Sequence, residues 1–301
     1  MKGPDSLIVK DALTLSTGFL DRKGSPSARL DSQILIAHVL GVRRLDLYLT
    51  PDRPLTVSER DRLRELLVRR GKAEPVAYLV GRKEFFGFDF MVNRNVLIPR
   101  PETESIVDTA LELLNASQAS RTRQVADIGT GSGAIACVLA AKSSAIAVTA
   151  TDTSTAAIEV AGMNARALGV DDRITFVRTD ILLDVIEPER FDLIVSNPPY
   201  IALAERDITD AAARDFEPET ALFSGPDGTD CTFDIIDATI PRLAPGGSLI
   251  LEVGSPRQSK LVADRLNDSF GHVNSIKDPG GFLRGYVASE PKTYQSRGKT
   301  N

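Results

Sequence analysis

Hydrophobic positions recur every three to four residues through the first part of the chain, which is the period of an amphipathic helix. Apolar residues from Leu30 to Leu40 predict a helix that ends at Gly41. A second helix is predicted after Thr56, because Glu59 follows at the spacing of a capping box. Residues 1–75 are therefore predicted to form a small helical domain.

The hydrophobic pattern changes at residue 76. Residues 76–98 combine β-branched and aromatic residues with glycine, which predicts a β-hairpin linker to a second domain over 99–289. In that domain short apolar runs alternate with helical patterns, which favours an α/β fold with a mostly parallel sheet covered by helices on both faces. The polar tail 290–301 is predicted to be disordered. The predicted strands are residues 124–128, 145–151, 174–178, 191–195, 248–253, 272–276 and 282–287, and the helices between them are 134–141, 155–168, 233–240 and 258–266.

Composition limits the chemistry that the chain can support. The 301 residues are 42% hydrophobic and 26% charged, which is typical of a globular protein of one large or two ordinary domains. Only two histidines are present, which disfavours a histidine base or a histidine-rich metal site, and no metal is expected. Cys137 and Cys231 are far apart in the sequence and belong to no paired motif, which indicates a reduced, cytoplasmic protein.

The charge distribution and the length of the apolar runs bear on possible partners. The net charge is −5, although residues 1–100 hold 18 Lys or Arg against 12 Asp or Glu. Nonspecific nucleic-acid binding usually needs a more basic surface, so no direct, specific binding to nucleic acid is expected. No run approaches about 18 apolar residues, and the first residues lack a secretory pattern, so neither export nor membrane insertion is expected.

A glycine-rich turn joins the first predicted strand of the second domain to its first helix. Glycines let the backbone turn sharply and approach a ligand at the crevice where open α/β sheets bind nucleotides. Asp152 ends the next strand, where a carboxylate can accept hydrogen bonds from ribose hydroxyls. These features alone fit NAD and S-adenosylmethionine equally. The candidate residues of the turn are Asp127, Gly129, Thr130, Gly131, Ser132 and Gly133.

Two further positions favour S-adenosylmethionine over NAD. Asp180 follows the third strand, where it could accept a hydrogen bond from an adenine amino group, and Ile181 stands beside it. Asp127 would attract a cationic amino-acid group and repel a pyrophosphate. Each aspartate could instead be a helix cap, but their recurrence at successive strand ends favours a methyl-donor site.

The sequence Ser196-Asn197-Pro198-Pro199-Tyr200 follows the apolar run 191–195. A proline pair stiffens the loop, so the Asn197 side-chain carbonyl and the Pro198 backbone carbonyl are two acceptors at a fixed separation. Two such acceptors match the two hydrogens of a planar amino group, and Tyr200 offers a flat surface for stacking. An amide nitrogen is a poor nucleophile, so a catalyst must orient it. Asn197, Pro198, Pro199 and Tyr200 are therefore the candidate catalytic residues, and Asn197 also borders the donor site.

Charged residues lie beside the proline-fixed turn at residues 98–104. Arg100, Glu102 and Glu104 could line the site, or they could provide the favourable charges of a helix start. Glu217 belongs to a later Glu-Pro segment and is a candidate for the same lining.

With these motifs, the chain resembles the bacterial protein-(glutamine-N5) methyltransferases of class I peptide chain release factors, the PrmC or HemK family. The resemblance covers nearly the whole chain: residues 29–41 and 74–79, the Ile-Pro-Arg-Pro-Glu-Thr-Glu sequence at 98–104, the Asn-Pro-Pro-Tyr loop and the Glu-Pro segment at 216–222. It implies a Rossmann-like class I methyltransferase sheet of seven strands with a helical substrate-docking domain, acting as a monomer. Residues 129–133, Asp152 and Asp180 would line S-adenosylmethionine, and residues 197–200 would hold the glutamine of a Gly-Gly-Gln loop. Ile181 stands where some relatives carry an aromatic residue.

Other functions share some of these motifs. The Asn-Pro-Pro-Tyr loop also fits an adenine-N6 nucleic-acid methyltransferase, which would bind its target with strong salt dependence. A glutamine methyltransferase of a ribosomal protein would carry most of the same sequences. A docking module without catalysis would not need Asn197, and an NAD-dependent oxidoreductase would need a hydride-transfer partner that is not evident.

Overall fold

Amphipathic segments in the first part of the chain form helices with the predicted ends. The structure, a computed structural model, describes residues 7–116 and 121–292. The helix after Thr56 begins with the predicted capping box, in which Thr56 accepts from the Glu59 N–H and Glu59 accepts from the Thr56 N–H. Gly41 ends the second helix in the left-handed conformation, with φ of 65°. The helices are α1 (Val9–Arg22), α2 (Ala28–Leu40), α3 (Asp46–Leu49), α4 (Val57–Arg70), α5 (Val76–Val80), α6 (Glu104–Ala116), α7 (Ala134–Lys142), α8 (Thr155–Leu168), α9 (Ala211–Phe216), α10 (Asp230–Thr239) and α11 (Pro256–Ser269).

The described part of the chain divides into two units. The first contains the described residues up to Arg82 together with Asp210–Phe216, and the second contains the rest. In the first unit α1, α2 and α4 pack around a core of aliphatic side chains. Arg70 of α4 and Asp31 of α2 form an ion pair of 2.7 Å in which both side chains are largely buried.

The second unit is built on a sheet of seven strands. Its order is β5-β4-β3-β6-β7-β9-β8, and the separate hairpin pairs β1 with β2. The first four pairings of the large sheet are parallel, and the two pairings of β9 are antiparallel. The strands are β1 (Arg82–Phe85), β2 (Phe88–Met91), β3 (Arg123–Ile128), β4 (Ile146–Asp152), β5 (Ile174–Arg178), β6 (Phe191–Ser196), β7 (Leu243–Glu252), β8 (Phe270–Lys277) and β9 (Leu283–Pro291).

Apolar side chains cover both faces of this sheet. Along β3, Val125 belongs to the cluster that includes α6 and α7, whereas Ala126 and Ile128 belong to the cluster that includes α10 and α11. The same alternation places Leu193 and Ile194 of β6 on opposite faces. Burial on both faces explains the nearly continuous apolar runs that the strands show in sequence.

The register of the parallel strands brings four strand ends into one row. Thr151 pairs with Ile128, Ile128 with Ser196, and Ser196 with Leu251. The next residue of each strand or loop is therefore Asp152, Gly129, Asn197 or Glu252. These four residues lie side by side along the carboxyl edge of the sheet.

The predicted fold class, α/β with a mostly parallel sheet of seven strands and a helical N-terminal region, is confirmed. Several bounds differ from the predicted ones, and three of these differences change an element or a domain limit. Residues 76–80 form helix α5 before the hairpin, and β7 begins at Leu243, five residues before its predicted start. Glu290 and Pro291 belong to β9 because they pair with β8, so the predicted tail does not start at residue 290. Residues 293–301 of that predicted tail lie outside the described residues.

Gly285 tests the importance of the close pairing between β7 and β9. A Cβ atom there would lie 2.3 Å from the Leu251 carbonyl oxygen and 2.7 Å from Ile106 Cδ1. We expect Gly285→Ala to lower the free energy of unfolding by about 1–3 kcal/mol or more, because neither the backbone nor the buried Ile106 can yield freely. Urea unfolding followed by circular dichroism measures this loss. Gly271→Ala is the matched control, since its Cβ would come no closer than 3.3 Å to any of its neighbours, the nearest being the flexible end of Glu290; equal losses in both variants would contradict the expectation.

Candidate functional site

A cleft of about 370 Å³ opens along the row of strand ends. This volume lies within the range of small-molecule sites, and the carboxyl edge of a parallel sheet is where such folds bind ligands. The cleft extends from the glycine turn after β3 to the Asn-Pro-Pro loop after β6. Among the predicted residues, it is lined by Gly129, Gly131, Asp152, Asp180, Ile181, Asn197, Pro198 and Pro199.

The glycine turn has a backbone conformation that other residues adopt with difficulty. Gly129, Gly131 and Gly133 have φ values of 71°, 55° and 79°. A Cβ atom on Gly133 would lie 3.0 Å from the Ala161 Cβ, so this glycine also lets α7 approach α8 closely. Thr130 and Ser132 are buried, and with Gly131 they line a smaller pocket of about 50 Å³. The turn therefore offers its backbone, rather than side chains, to the larger cleft.

Asp127 lies beneath this turn and is only 1% exposed. Its Oδ2 accepts hydrogen bonds from the Thr130 hydroxyl at 2.7 Å and from the Ala136 N–H at 3.1 Å, whereas its Oδ1 has no partner within residues 7–116 and 121–292. Burial raises the pKa of Asp127 to about 6. The carboxyl group therefore supports the turn from below. The predicted direct contact between Asp127 and a cationic ligand group stays a prediction.

Asp152 lies at the end of β4, with its carboxylate facing the cleft. Its Oδ2 accepts from the Gly131 N–H and its Oδ1 from the Ser154 N–H, both at 2.9 Å. Each oxygen retains a second lone pair, because a carboxylate can accept about four hydrogen bonds. Asp152 is therefore held rigidly and can still accept hydrogen bonds from a diol in the cleft.

Asp180 and Ile181 border the far end of the cleft. Asp180 is exposed, and Ile181 is partly buried with φ of 50°. A β-branched residue rarely adopts a positive φ, so this backbone is strained at the position beside Asp180. Cys231 lines the same region, where burial, helped by the charges of Asp180 and Asp234, raises the pKa of its thiol to about 11.

The Asn-Pro-Pro-Tyr loop places its four residues differently. Asn197, Pro198 and Pro199 line the cleft, and the Asn197 Nδ2 donates to the Thr103 hydroxyl at 3.2 Å. Tyr200 packs against Gly254, where a Cβ atom would lie 2.4 Å from the Tyr200 Cδ2. Burial raises the pKa of Tyr200 to about 12, so its hydroxyl is neutral at physiological pH. A stacking role for Tyr200 stays a prediction.

The charged residues of the 98–104 turn do not line the larger cleft. Arg100 pairs with the buried Glu217 at 2.6 Å, and Glu217 also accepts from the Ile98 N–H at 3.1 Å. Glu104 accepts from the Phe86 N–H at 2.9 Å, and Glu102 is exposed. Arg100 lies beside Asn197 in the smaller pocket. The Arg100–Glu217 pair therefore joins this turn to the Glu-Pro segment.

Sequence reasoning missed several residues that the fold brings to the site. Thr103 bonds to Asn197, and Glu252 ends β7 in the row of strand ends with an exposure of only 2%. A charged residue inside the apolar run 248–253 was the available signal for Glu252, because a buried carboxylate needs compensation. Other residues line the cleft without an isolated sequence signal, among them Asn95, Val96, Leu97 and Phe223.

Comparisons with known proteins agree with this fold and site. A family model described as "PrmC N-terminal domain" matches residues 11–81, and one described as "Methyltransferase small domain" matches residues 103–220. A release factor glutamine methyltransferase of Rhodopirellula baltica is 42% identical, over 90% of this chain and 93% of its own length. One of Koribacter versatilis is 40% identical, over 95% and 99%. The crystal structure of the hMettl16 catalytic domain, in complex with the MAT2A 3'UTR hairpin 1, covers 91% of both chains with a TM-score of 0.54 and 15% identity, and shows the fold alone.

The seven-strand sheet, the glycine turn with Asp152 beside it and the match to a methyltransferase family model define the protein as an S-adenosylmethionine-dependent methyltransferase. The cleft suits that donor, since it combines a glycine backbone, a carboxylate with free lone pairs and apolar walls. The level of identity then settles the family: this chain belongs to the release factor glutamine methyltransferases. Over the described ranges 7–116 and 121–292, no helix has the length and apolarity needed to cross a membrane.

Asp127 generates a prediction about stability and pH. Folding raises the pKa of Asp127 from 3.8 to about 6. The contribution of this group to the free energy of unfolding is therefore most favourable below about pH 4, and it becomes unfavourable as the pH rises through 6. At neutral pH, keeping Asp127 ionised in the folded protein lowers the free energy of unfolding by about 3 kcal/mol. Asp127→Asn keeps an oxygen that can accept from Thr130 and Ala136. It should therefore unfold at the same urea concentration as the wild type near pH 4, and at a higher urea concentration than the wild type near pH 8.

Urea unfolding of both proteins across this pH range measures the difference between the two curves. Taking the difference removes contributions from other titrating groups that the two proteins share. A constant difference at all pH values would show that the Asp127 carboxyl group does not carry the cost of ionisation.

Proposed function

We propose that this protein transfers the methyl group of S-adenosylmethionine to the side-chain amide nitrogen, N5, of the glutamine in the Gly-Gly-Gln motif of class I peptide chain release factors. The observation that carries this proposal is the Asn197 side-chain amide, which lines the cleft and is held in place because its nitrogen donates a hydrogen bond to the Thr103 hydroxyl. The similarity over nearly full length to proteins named release factor glutamine methyltransferases supports the substrate.

The acceptor part of the site suits a primary amide. With its Nδ2 donating to Thr103, Asn197 has its Oδ1 left as an acceptor, and the Pro198 carbonyl provides a second acceptor on a stiff backbone. Together they would hold both hydrogens of one NH2 group. Orientation matters here because the amide lone pair is delocalised, and a well-positioned pair of reactants can gain on the order of 7–11 kcal/mol of the barrier.

The donor part of the site suits the nucleoside and the amino-acid ends of the cofactor. Asp152 would accept from the ribose hydroxyls, and Asp180 would accept from the adenine amino group beside Ile181. The turn at residues 129–133 would lie against the amino-acid end, with Asp127 supporting it from below. When bound, S-adenosylmethionine supplies a methyl carbon made electrophilic by its sulfonium.

The protein does not need a dedicated base for this transfer. As the amide nitrogen gains the methyl carbon, the bond from that carbon to the donor sulfur would break and leave a neutral thioether. The methylated nitrogen is acidic and loses one proton, which water can accept. The two histidines of the chain lie in α2 and β8, away from the Asn-Pro-Pro loop in the sequence. The work of Asn197 and Pro198 is therefore to orient the amide and favour its polarised form.

The organisation around this reaction is part of the proposal. The helical domain predicted over residues 1–75 would dock the release factor, and the domain predicted over residues 99–289 would carry the reaction. We expect the protein to act as a monomer in the cytoplasm, with no need to bind nucleic acid. Gel filtration at the concentration used in the assay, with and without release factor, tests whether the protein is a monomer.

Asn197→Ala tests the acceptor role. Removing the side-chain carbonyl should lower kcat about 10²- to 10³-fold, as loss of one orienting hydrogen bond does in comparable sites, while the KM for S-adenosylmethionine changes little. The assay is mass spectrometry of purified release factor after incubation with labelled donor. Asn274→Ala, an exposed position of β8, is the matched control. Wild-type turnover in Asn197→Ala would contradict the role of this amide.

Asp152→Asn tests the donor role in the same assay. An asparagine has one oxygen where the carboxylate has two, so it cannot serve Gly131, Ser154 and a ribose together. We expect the KM for S-adenosylmethionine to rise about tenfold or more, with a smaller effect on kcat. An unchanged KM would separate Asp152 from donor binding.

The substrate itself is tested by the position of the label. A methyl group on the Gly-Gly-Gln glutamine of release factor supports the proposal. Methylation of a ribosomal protein or of nucleic acid under the same conditions, with release factor unlabelled, would replace it.

A further inference from the structure

Thr103 has a hydroxyl that connects two side chains at the row of strand ends. It is 4% exposed, follows the turn at Pro101, and accepts from the Asn197 Nδ2 at 3.2 Å. The Thr103 hydroxyl also acts on the Glu252 carboxyl group, whose pKa it lowers against the effect of burial. Because a hydroxyl has a single hydrogen, it cannot donate to both neighbours at once.

Glu252 is a buried carboxyl group that the proposed transfer does not use. Its exposure is 2%, and its Oε2 has no hydrogen-bond partner among the described residues. Register places it next to Asn197, since Ser196 pairs with Leu251. A buried carboxylate with an unpartnered oxygen is costly, so its retention at this edge calls for a reason.

The ionisation state of Glu252 decides which way the hydroxyl hydrogen of Thr103 points. An ionised carboxylate only accepts, so the Thr103 hydrogen must point to Glu252, and the Thr103 oxygen can only accept from Asn197. The Asn197 amide then turns its nitrogen to Thr103 and leaves its Oδ1 free. A protonated Glu252 can instead donate to Thr103, which frees the Thr103 hydrogen to donate to the Asn197 Oδ1.

We propose that Thr103 and Glu252 are positioning residues, which together fix the Asn197 amide with its carbonyl oxygen available to the substrate amide only while Glu252 is ionised. This inference rests on the proposed function of Asn197 as an acceptor. It adds a two-residue relay that sets the orientation of that acceptor and ties it to pH.

The groups around Glu252 bring the pKa of its carboxyl group close to neutral pH. Burial raises its pKa to about 7; the Thr103 hydrogen bond opposes this, the Glu102 charge adds to it, and the charges of Arg284 and Arg100 lower the pKa. Burial, and next the charge of Glu252, raise the pKa of Tyr200 to about 12, so Tyr200 stays a neutral phenol. The two guanidinium groups act weakly because each has its own carboxylate partner: Arg100 is paired with Glu217 at 2.6 Å and Arg284 with Asp278 at 2.7 Å.

The first test is kinetic. The wild-type kcat should rise with pH through about 7, as Glu252 loses its proton. Glu252→Gln cannot ionise, so this limb of the profile should disappear. Thr103→Val, which keeps the shape without the hydroxyl, should lower kcat about tenfold with little change in the KM for the donor, and Thr103→Ser should restore it. Thr109→Val on α6 is the matched control, because its hydroxyl bonds only to its own helix at Ser105.

The second test needs no turnover and so separates this inference from the proposed function. The side-chain amide resonances of Asn197, assigned by their loss in Asn197→Ala, should shift across neutral pH in the wild type and stay constant in Glu252→Gln. The relay would be overturned if the Asn197 side-chain amide resonances did not change with pH in the wild type, or if they changed with pH in Glu252→Gln as much as in the wild type. A Thr103→Val protein with wild-type kcat would also overturn it. If no glutamine is methylated while the resonances behave as expected, the proposed function fails and the relay stands.

Discussion

The parallel register of β4, β3, β6 and β7 is the constraint on which the site depends. The pairings set Thr151, Ile128, Ser196 and Leu251 side by side, so the residues that follow them, Asp152, Gly129, Asn197 and Glu252, form a row. A shift of one residue in any pairing would turn alternate side chains to the other face of the sheet. The apolar clusters on both faces oppose such a shift, because each strand residue is matched to one cluster or the other.

Two buried carboxyl groups mark the ends of the working region. Asp127 lies under the glycine turn, and Glu252 lies beside the Asn-Pro-Pro loop. Burial raises the pKa of both groups, to about 6 and about 7, and each has one oxygen without a hydrogen-bond partner in the part of the chain that the structure describes. Cores rarely retain such groups without a function. Asp127 holds the Thr130 hydroxyl and the Ala136 N–H, and Glu252 lies next to Asn197 in the row of strand ends.

Segments that are distant in the sequence support the acceptor loop. The Arg100–Glu217 ion pair spans 117 positions, and the Thr103–Asn197 hydrogen bond spans 94. Asn164 of α8 joins the hairpin and the glycine turn, because it bonds to the Met91 backbone at both its N–H and its carbonyl and to the Ser132 carbonyl. Side chains held by such partners lose little further entropy when a ligand binds, which is the physical basis of preorganisation.

The sequence by itself determined the class of the fold and half of the site. Alternating periodicities fixed strands and helices, and turn glycines, aspartates and prolines directly after apolar runs marked Gly129, Asp152 and Asn197 as strand-end residues, since these signals are local. Only the tertiary structure decided that Glu252 and Thr103 join them, that Asp127 turns beneath its loop, and that Glu217 pairs with Arg100 rather than lining the cleft. Those contacts depend on register and on packing between residues far apart in the chain, and short-range patterns do not encode either.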